Sequence, residues 1–114
     1  MQALFVELPP FQRYRSDYLT DEEYRELQLQ LLANPEAGDL IKGTGGLRKV
    51  RFGDRRRNKG KRSGLRILYY RWVDGAQFWM FTIYDKNEMS DLSSRERATL
   101  SSLLDIEVSR RSAV

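Results

Sequence analysis

The chain contains no cysteine and no histidine, and these absences exclude several familiar kinds of site. Without thiols there can be no disulfide and no thiolate metal ligand, which is compatible with a reducing compartment. Without imidazole, a zinc site would have to consist of carboxylates alone, which is unusual. Proton transfer would therefore depend on other side chains, such as lysine or tyrosine.

Long apolar runs are missing as well. No stretch approaches the ~20 apolar residues of a membrane span, and the first residues, MQALFVELPPFQRYR, lack the basic start and apolar run of a signal peptide. We therefore expect a cytoplasmic protein that makes no contact with membranes. Its 114 residues match the length of one domain, so residues 1–114 are expected to form a single unit.

Charge is distributed unevenly along the chain. Twelve of the 20 lysines and arginines lie between Lys42 and Arg71 with a single acid, Asp54, so this segment carries +11 and the remainder −7. A basic centre inside an acidic frame is typical of a protein with a face that binds a polyanion. A solvated charged loop is the alternative, but the density of the cations favours the binding face.

Hydrophobic periodicity predicts the order strand, helix, helix, three strands, helix. The strands are expected at 3–8, 47–52, 65–72 and 78–84, and the helices at 11–18, from 20 to about 34, and from 93 onward. Two capping boxes, Thr20 with Glu23 and Ser93 with Glu96, mark helix starts. This order implies an α+β fold in which helices pack on one face of a strand meander.

Alternation along the strands separates two faces of the sheet. One face is apolar and is expected under the helices; its residues are Val50, Phe52, Leu65, Ile67, Tyr69, Trp79, Phe81 and Ile83. The opposite face gathers Lys49, Arg51, Arg66, Tyr70 and Tyr84. Cations and phenols together suit RNA binding, and fixed cations can stabilise charge during 2′-hydroxyl attack on a phosphate. An ordinary solvated sheet face is the alternative, and alternation alone leaves both interpretations open.

Two further motifs favour structural interpretations. The segment Gly43 to Gly46, GTGG, lacks the GK[ST] ending of a phosphate-binding loop and precedes a strand, so it predicts a turn. Asp85, Glu88 and Asp91 could bind a metal, but acids that lead into a helix are favoured there as caps. We therefore predict no metal site.

Three segments, GTGGLRKVRF, GKRSGLRILYY and FTIYDKNEMSDLS, resemble the HigB branch of the RelE/ParE superfamily of toxin–antitoxin toxins. The likeness covers almost the entire chain. It implies a compact RelE-like fold and metal-independent cleavage of messenger RNA on the ribosome, with no cofactor. It also implies neutralisation by an antitoxin, usually a helix-turn-helix protein, through which alone operator DNA would be contacted.

The resemblance also assigns catalytic residues. The family's basic pair on the first meander strand matches Lys49 and Arg51, and its arginine after a Ser-Gly-aliphatic step matches Arg66. The basic residue past the last strand matches Lys86, with Tyr84 at the same strand end. Relatives use a histidine, a glutamate or a late tyrosine as the base; Leu92 stands about where the late tyrosine would fall. Lys49 and Tyr84 are therefore the candidates for the base.

A second group of residues is expected to contact RNA or the ribosome. It consists of Arg48, Arg55, Arg56, Arg57, Lys59, Lys61, Arg62 and Tyr70. Two other functions stay open: a non-cleaving toxin of the same superfamily, such as a gyrase poison, and an RNA- or ribosome-binding module. The set of Lys49, Arg51 and Arg66 favours the RNA-cleaving toxin over the gyrase poison, because gyrase poisons of this fold tend not to keep it.

Overall fold

The computed structural model describes residues 4–53, 64–72, 76–85 and 92–112. Its elements are β1 (Leu4–Glu7), α1 (Pro9–Tyr18), α2 (Asp21–Ala33), β2 (Asp39–Leu40), β3 (Arg48–Phe52), β4 (Leu65–Trp72), β5 (Gln77–Asp85) and α3 (Ser94–Ser112). The strands form one sheet in the order β1-β5-β4-β3-β2, in which β1 is parallel to β5 and the other pairs are antiparallel. The predicted α+β class is confirmed, and the short strand β2 is an addition. Among the described residues, no helix has the length and apolarity needed to cross a membrane.

Local sequence signals set the helix starts. At α2, the Thr20 hydroxyl accepts from the Glu23 amide at 3.1 Å, and the Glu23 carboxylate accepts from the Thr20 amide at 2.9 Å. The same reciprocal pair joins Ser93 and Glu96 before α3, at 3.1 and 2.8 Å, and these bonds lower the pKa of the Glu96 carboxyl. Both predicted capping boxes are confirmed.

The helices α1 and α2 cover one face of the sheet. Phe11, Leu27 and Leu31 are fully buried there, in one cluster with Ile67 and Tyr69 of β4. The Tyr69 hydroxyl donates to the Ala37 carbonyl at 2.6 Å. Burial raises the pKa of this phenol to about 12.

The helix α3 packs on the opposite face. Leu104 lies in a second buried cluster with Leu68 of β4 and Trp79 and Phe81 of β5. The prediction that the helices share one face is therefore wrong for α3. The physical reason is that both faces of the central strands carry large apolar side chains, and the apolar stripe of α3 needs such a surface to bury.

A β-bulge in β5 creates this second apolar surface. Leu68 pairs with Thr82 and Tyr69 pairs with Met80, so Phe81 is the extra residue. The alternation of side chains is interrupted there, and Trp79 and Phe81 face α3. The prediction that they share a face with Ile83 is wrong, since strict alternation cannot anticipate an inserted residue.

Gly38 allows β2 to approach β3. Its φ is +84°, and a Cβ at this position would overlap the carbonyl oxygen of Lys49. The next residue, Asp39, pairs with Lys49 across the two strands. The side chain of any other residue would push β2 away from β3.

Replacing Gly38 by alanine should therefore destabilise the protein more than the same change at Gly43. Gly43 has a similar φ, +79°, but a Cβ at this position would have no other atom within 4 Å. Gly43→Ala should thus cost only the ~1–2 kcal/mol of a left-handed backbone. Urea unfolding of the two variants measures the difference. Equal losses would show that contact with Lys49 does not constrain residue 38.

Candidate functional site

Three of the predicted site residues lie directly opposite one another on adjacent strands. Arg51 of β3 pairs with Arg66 of β4, and Arg66 pairs with Tyr84 of β5. Directly paired residues project from the same face of a sheet with neighbouring side chains. We call Arg51, Arg66 and Tyr84 the cross-strand row. It lies on the face that carries α3.

Lys49 belongs to the next row of the same face. It pairs with Leu68 of β4, and Leu68 pairs with Thr82 of β5. Lys49 and Arg51 are separated by one residue of the same strand, so their side chains point in the same direction. The structure thus brings together four of the residues predicted to be catalytic.

Burial differs sharply among these four residues. Arg51 is exposed and Lys49 half-buried, whereas Arg66 is only 5 % exposed and Tyr84 only 6 %. The prediction that all helices pack on the other face implies an open surface here, and this is wrong for Arg66 and Tyr84. They form the floor of the site, and Arg51 forms its accessible edge.

The buried guanidinium of Arg66 contacts the backbone just before it in the chain. Its Nη1 donates to the carbonyl oxygens of Gly64 and Leu65, both at 3.3 Å. These bonds orient a charge that would otherwise be costly to bury. Like charges directly opposite each other repel, and the pairing of Arg51 with Arg66 brings two positive charges together in the candidate site.

Two cavities lie between this face and the N-terminal part of α3. The apolar groove has a volume of about 320 Å³ and is lined by Leu68, Thr82, Leu92, Arg95, Glu96, Thr99 and Leu100. The basic cleft has a volume of about 140 Å³ and is lined by Asp39, Leu40, Ile41, Lys42, Lys49, Leu92 and Arg97. Leu92 lines both cavities, which are therefore adjacent.

Other predicted site residues lie elsewhere. Arg48 donates to the carbonyl oxygens of Glu36 and Gly38, at 2.8 and 3.3 Å, so it holds the loop before β2. The half-buried ring of Tyr70 lies 5.2 Å from the ring of Trp79, in the cluster beneath α3. Neither joins the cross-strand row. Outside the described residues lie Arg55, Arg56, Arg57, Lys59, Lys61, Arg62 and Lys86.

The structure describes the whole of the GTGG segment but only one of the three acids that could bind a metal. Within the GTGG segment, the Thr44 hydroxyl donates to the Ile41 carbonyl at 2.7 Å and accepts from the Leu47 amide at 3.2 Å. The predicted turn is confirmed. Asp85 is fully buried at the end of β5, while Glu88 and Asp91 lie outside the described residues.

The sequence-based reasoning missed two cations of the basic cleft. Lys42 lies in the basic segment but outside any predicted strand. Arg97 lies within the first turns of α3, where its Nε and Nη2 donate to the Leu92 carbonyl at 3.3 and 3.2 Å. Their proximity to Lys49 depends on how α3 packs, and no spacing in the sequence indicates it.

No family model matches the chain. Among solved structures, it is similar to a double arginine-to-alanine variant of E. coli toxin RelE in the free state, with a TM-score of 0.54 and 12 % identity over 87 % of this chain and 96 % of that chain. The isolated E. coli RelE toxin matches with a TM-score of 0.51 and 11 % identity, over 90 % of this chain and 99 % of that chain. At such identities the likeness shows the fold alone. The predicted RelE-like fold is confirmed.

The different burial of the two paired arginines predicts different effects on stability. Arg51→Ala should change the free energy of unfolding by less than ~0.5 kcal/mol, because the side chain is exposed. Arg66→Ala should lower it by ~1–3 kcal/mol, because buried polar contacts are lost. Urea unfolding of both variants checks this. A loss at Arg51 as large as that at Arg66 would contradict the assignment of floor and edge.

Proposed function

We propose that this protein is a toxin of a type II toxin–antitoxin system, of the HigB-like branch, that cleaves messenger RNA on the translating ribosome. The observation that carries the proposal is the cross-strand row, with Lys49 beside it, in a fold shared with the toxin RelE. The sequence motifs around these residues support the same branch. Cleavage of messenger RNA would stop translation and growth.

RNA supplies its own nucleophile for such a reaction. The 2′-oxygen attacks the adjacent phosphorus, so that a new oxygen–phosphorus bond forms and the bond to the 5′-oxygen of the next nucleotide breaks. The products are a 2′,3′-cyclic phosphate and a 5′-hydroxyl. The 2′-hydroxyl gives up one proton, and the leaving 5′-oxygen takes up one. Negative charge builds on the non-bridging oxygens, so cations of the chain can act where another nuclease would need a metal.

The row supplies groups for this chemistry. Arginine stays protonated under all ordinary conditions, so Arg51 and Arg66 would act as donors to the non-bridging oxygens rather than as bases. Arg51 is exposed and could follow the phosphate, whereas Arg66 is fixed by two carbonyl contacts. A preorganised donor of this kind loses little energy in reorganising during the reaction.

The proton acceptor would be Lys49 or Tyr84. Lys49 is half-buried beside two arginines on one face, and Tyr84 stands at the end of the row. Either side chain could take the proton of the 2′-hydroxyl, the lysine as its free amine and the tyrosine as its phenolate. Lys86, just past β5, is proposed as a further catalytic cation.

The partners follow from this function. The basic residues between Arg55 and Arg62 are proposed to dock on ribosomal RNA, since their number exceeds what the fold needs. The positions of Arg48 and Tyr70 give no support to an RNA-binding role. A helix-turn-helix antitoxin would neutralise the toxin in the cytoplasm, and operator DNA would be reached only through that antitoxin.

Expression in the absence of an antitoxin tests the proposal. Induction should arrest growth, and primer extension should show messenger RNA cut within translated codons. A chain carrying both Lys49→Ala and Arg51→Ala should permit growth at the same protein level. Growth arrest with intact transcripts and a defect in DNA supercoiling would contradict RNA cleavage and favour a gyrase poison. The absence of any growth arrest would contradict the proposal that the protein is a toxin.

A further inference from the structure

The basic cleft gathers cations from three separate parts of the chain. Lys42 comes from the turn after β2, Lys49 from β3 and Arg97 from α3, and the acid among its lining residues is Asp39. Like charges held close together oppose the compact state. A bound anion would offset that cost, which is a physical reason to look for one here.

The guanidinium of Arg97 keeps hydrogen-bond donors for such an anion. Its contacts with the Leu92 carbonyl use the Nε and Nη2 sides of the guanidinium. A guanidinium has five N–H donors in a fixed planar arrangement, so the two contacts fix its plane and leave the Nη1 donors for a ligand. An oriented arginine of this kind suits a phosphate or a carboxylate, because two parallel bonds can form to the oxygens of either group.

The surroundings of the cleft favour a polynucleotide rather than a small free anion. Lys49 lines the cleft and is also a neighbour of the cross-strand row, where the scissile phosphate is proposed to lie. The cleft shares Leu92 with the apolar groove, whose residues Leu68 and Thr82 pair with each other in the row of the sheet next to Arg66 and Tyr84. The basic cleft, the apolar groove and the cross-strand row thus adjoin one another. Cationic and apolar surfaces alternate here in the way that phosphates and bases alternate along a single strand of RNA.

We infer that the basic cleft binds a phosphodiester of single-stranded RNA, one nucleotide away from the scissile phosphate, with the intervening base in the apolar groove. Lys42 and Arg97 are then RNA-binding residues. The cleft, at about 140 Å³, and the groove, at about 320 Å³, are each large enough for the group assigned to them. The position relative to the scissile phosphate rests on the proposed function; the binding of RNA in the cleft does not.

Salt-dependent binding of an uncleavable probe tests this inference. The probe is a short single-stranded RNA with 2′-O-methyl groups, and its affinity is measured by fluorescence anisotropy over a range of salt concentrations. Lys42→Gln and Arg97→Gln should each flatten the logarithmic salt slope by about 0.7, the value for one lost phosphate contact on a single strand. Lys42 is exposed, so its substitution should leave the fold intact. A thermal melt checks Arg97→Gln, which also loses the Leu92 contact.

Two controls separate the cleft from general charge effects. Arg25 is an exposed cation of α2, on the helix pair that covers the opposite face, and Arg25→Gln should leave the slope unchanged. Asp39→Asn removes the acid from the lining of the cleft and should tighten binding about three- to fivefold at low salt. Mere damage to the fold would weaken binding, not strengthen it.

The outcomes distinguish this inference from the proposed function, because the probe is not cleaved and no ribosome is present. If Lys42→Gln and Arg97→Gln flatten the salt slope but the parent protein cleaves no messenger RNA, the RNA-binding site is supported and the proposed cleavage is contradicted. Slopes of Lys42→Gln and Arg97→Gln that equal the slope of Arg25→Gln would overturn the site, as would a parent protein that does not bind the probe at low salt. Loss of inorganic phosphate binding alone, with the RNA slope unchanged, would reassign the cleft to a small anion.

Discussion

The pairing of β4 with β5, interrupted at Phe81, is the constraint on which both faces of the sheet depend. On one side of the bulge, Arg66 pairs with Tyr84, and polar groups project from the α3 face. On the other side, the same face presents Trp79 and Phe81 to α3. This apolar part of the face packs against α3. The face continues into the cross-strand row, in which Arg66 and Tyr84 are buried and form the floor of the candidate site while the exposed Arg51 forms its edge.

Positive charge accumulates in and beside the cross-strand row. Two arginines stand opposite each other in the cross-strand row, and Lys42, Lys49 and Arg97 line the neighbouring basic cleft. Like charges this close repel one another and oppose folding. Arrangements that oppose folding persist where a ligand or a reaction makes use of them, and an RNA strand would neutralise both groups at once.

The parts of the fold that depend on local signals could be predicted from the sequence. The capping boxes at Thr20 and Ser93 involve residues only three positions apart, so the sequence reveals them directly. The cross-strand row was predictable because its residues lie where side chains alternate regularly between the two faces of the sheet. The place of α3 could not be predicted, because residues 78–84 have apolar side chains at both odd and even positions. Nothing in this segment indicates where the bulge lies. The burial of Arg66 and the approach of Arg97 to Lys49 also depend on tertiary packing, which residue spacing does not encode.

The most direct test of the account compares Arg51 with Arg48, two arginines of one strand that project from opposite faces. Each is replaced by alanine, folding is checked by a thermal melt, and messenger RNA cleavage is measured in single turnover on saturating ribosomes. Arg51→Ala should slow cleavage by roughly 100- to 1000-fold while ribosome binding persists, as loss of a transition-state donor does. Arg48→Ala should cleave at nearly the parent's rate. Cleavage by Arg51→Ala at the parent's rate would contradict the assignment of the cross-strand row as the cleavage site.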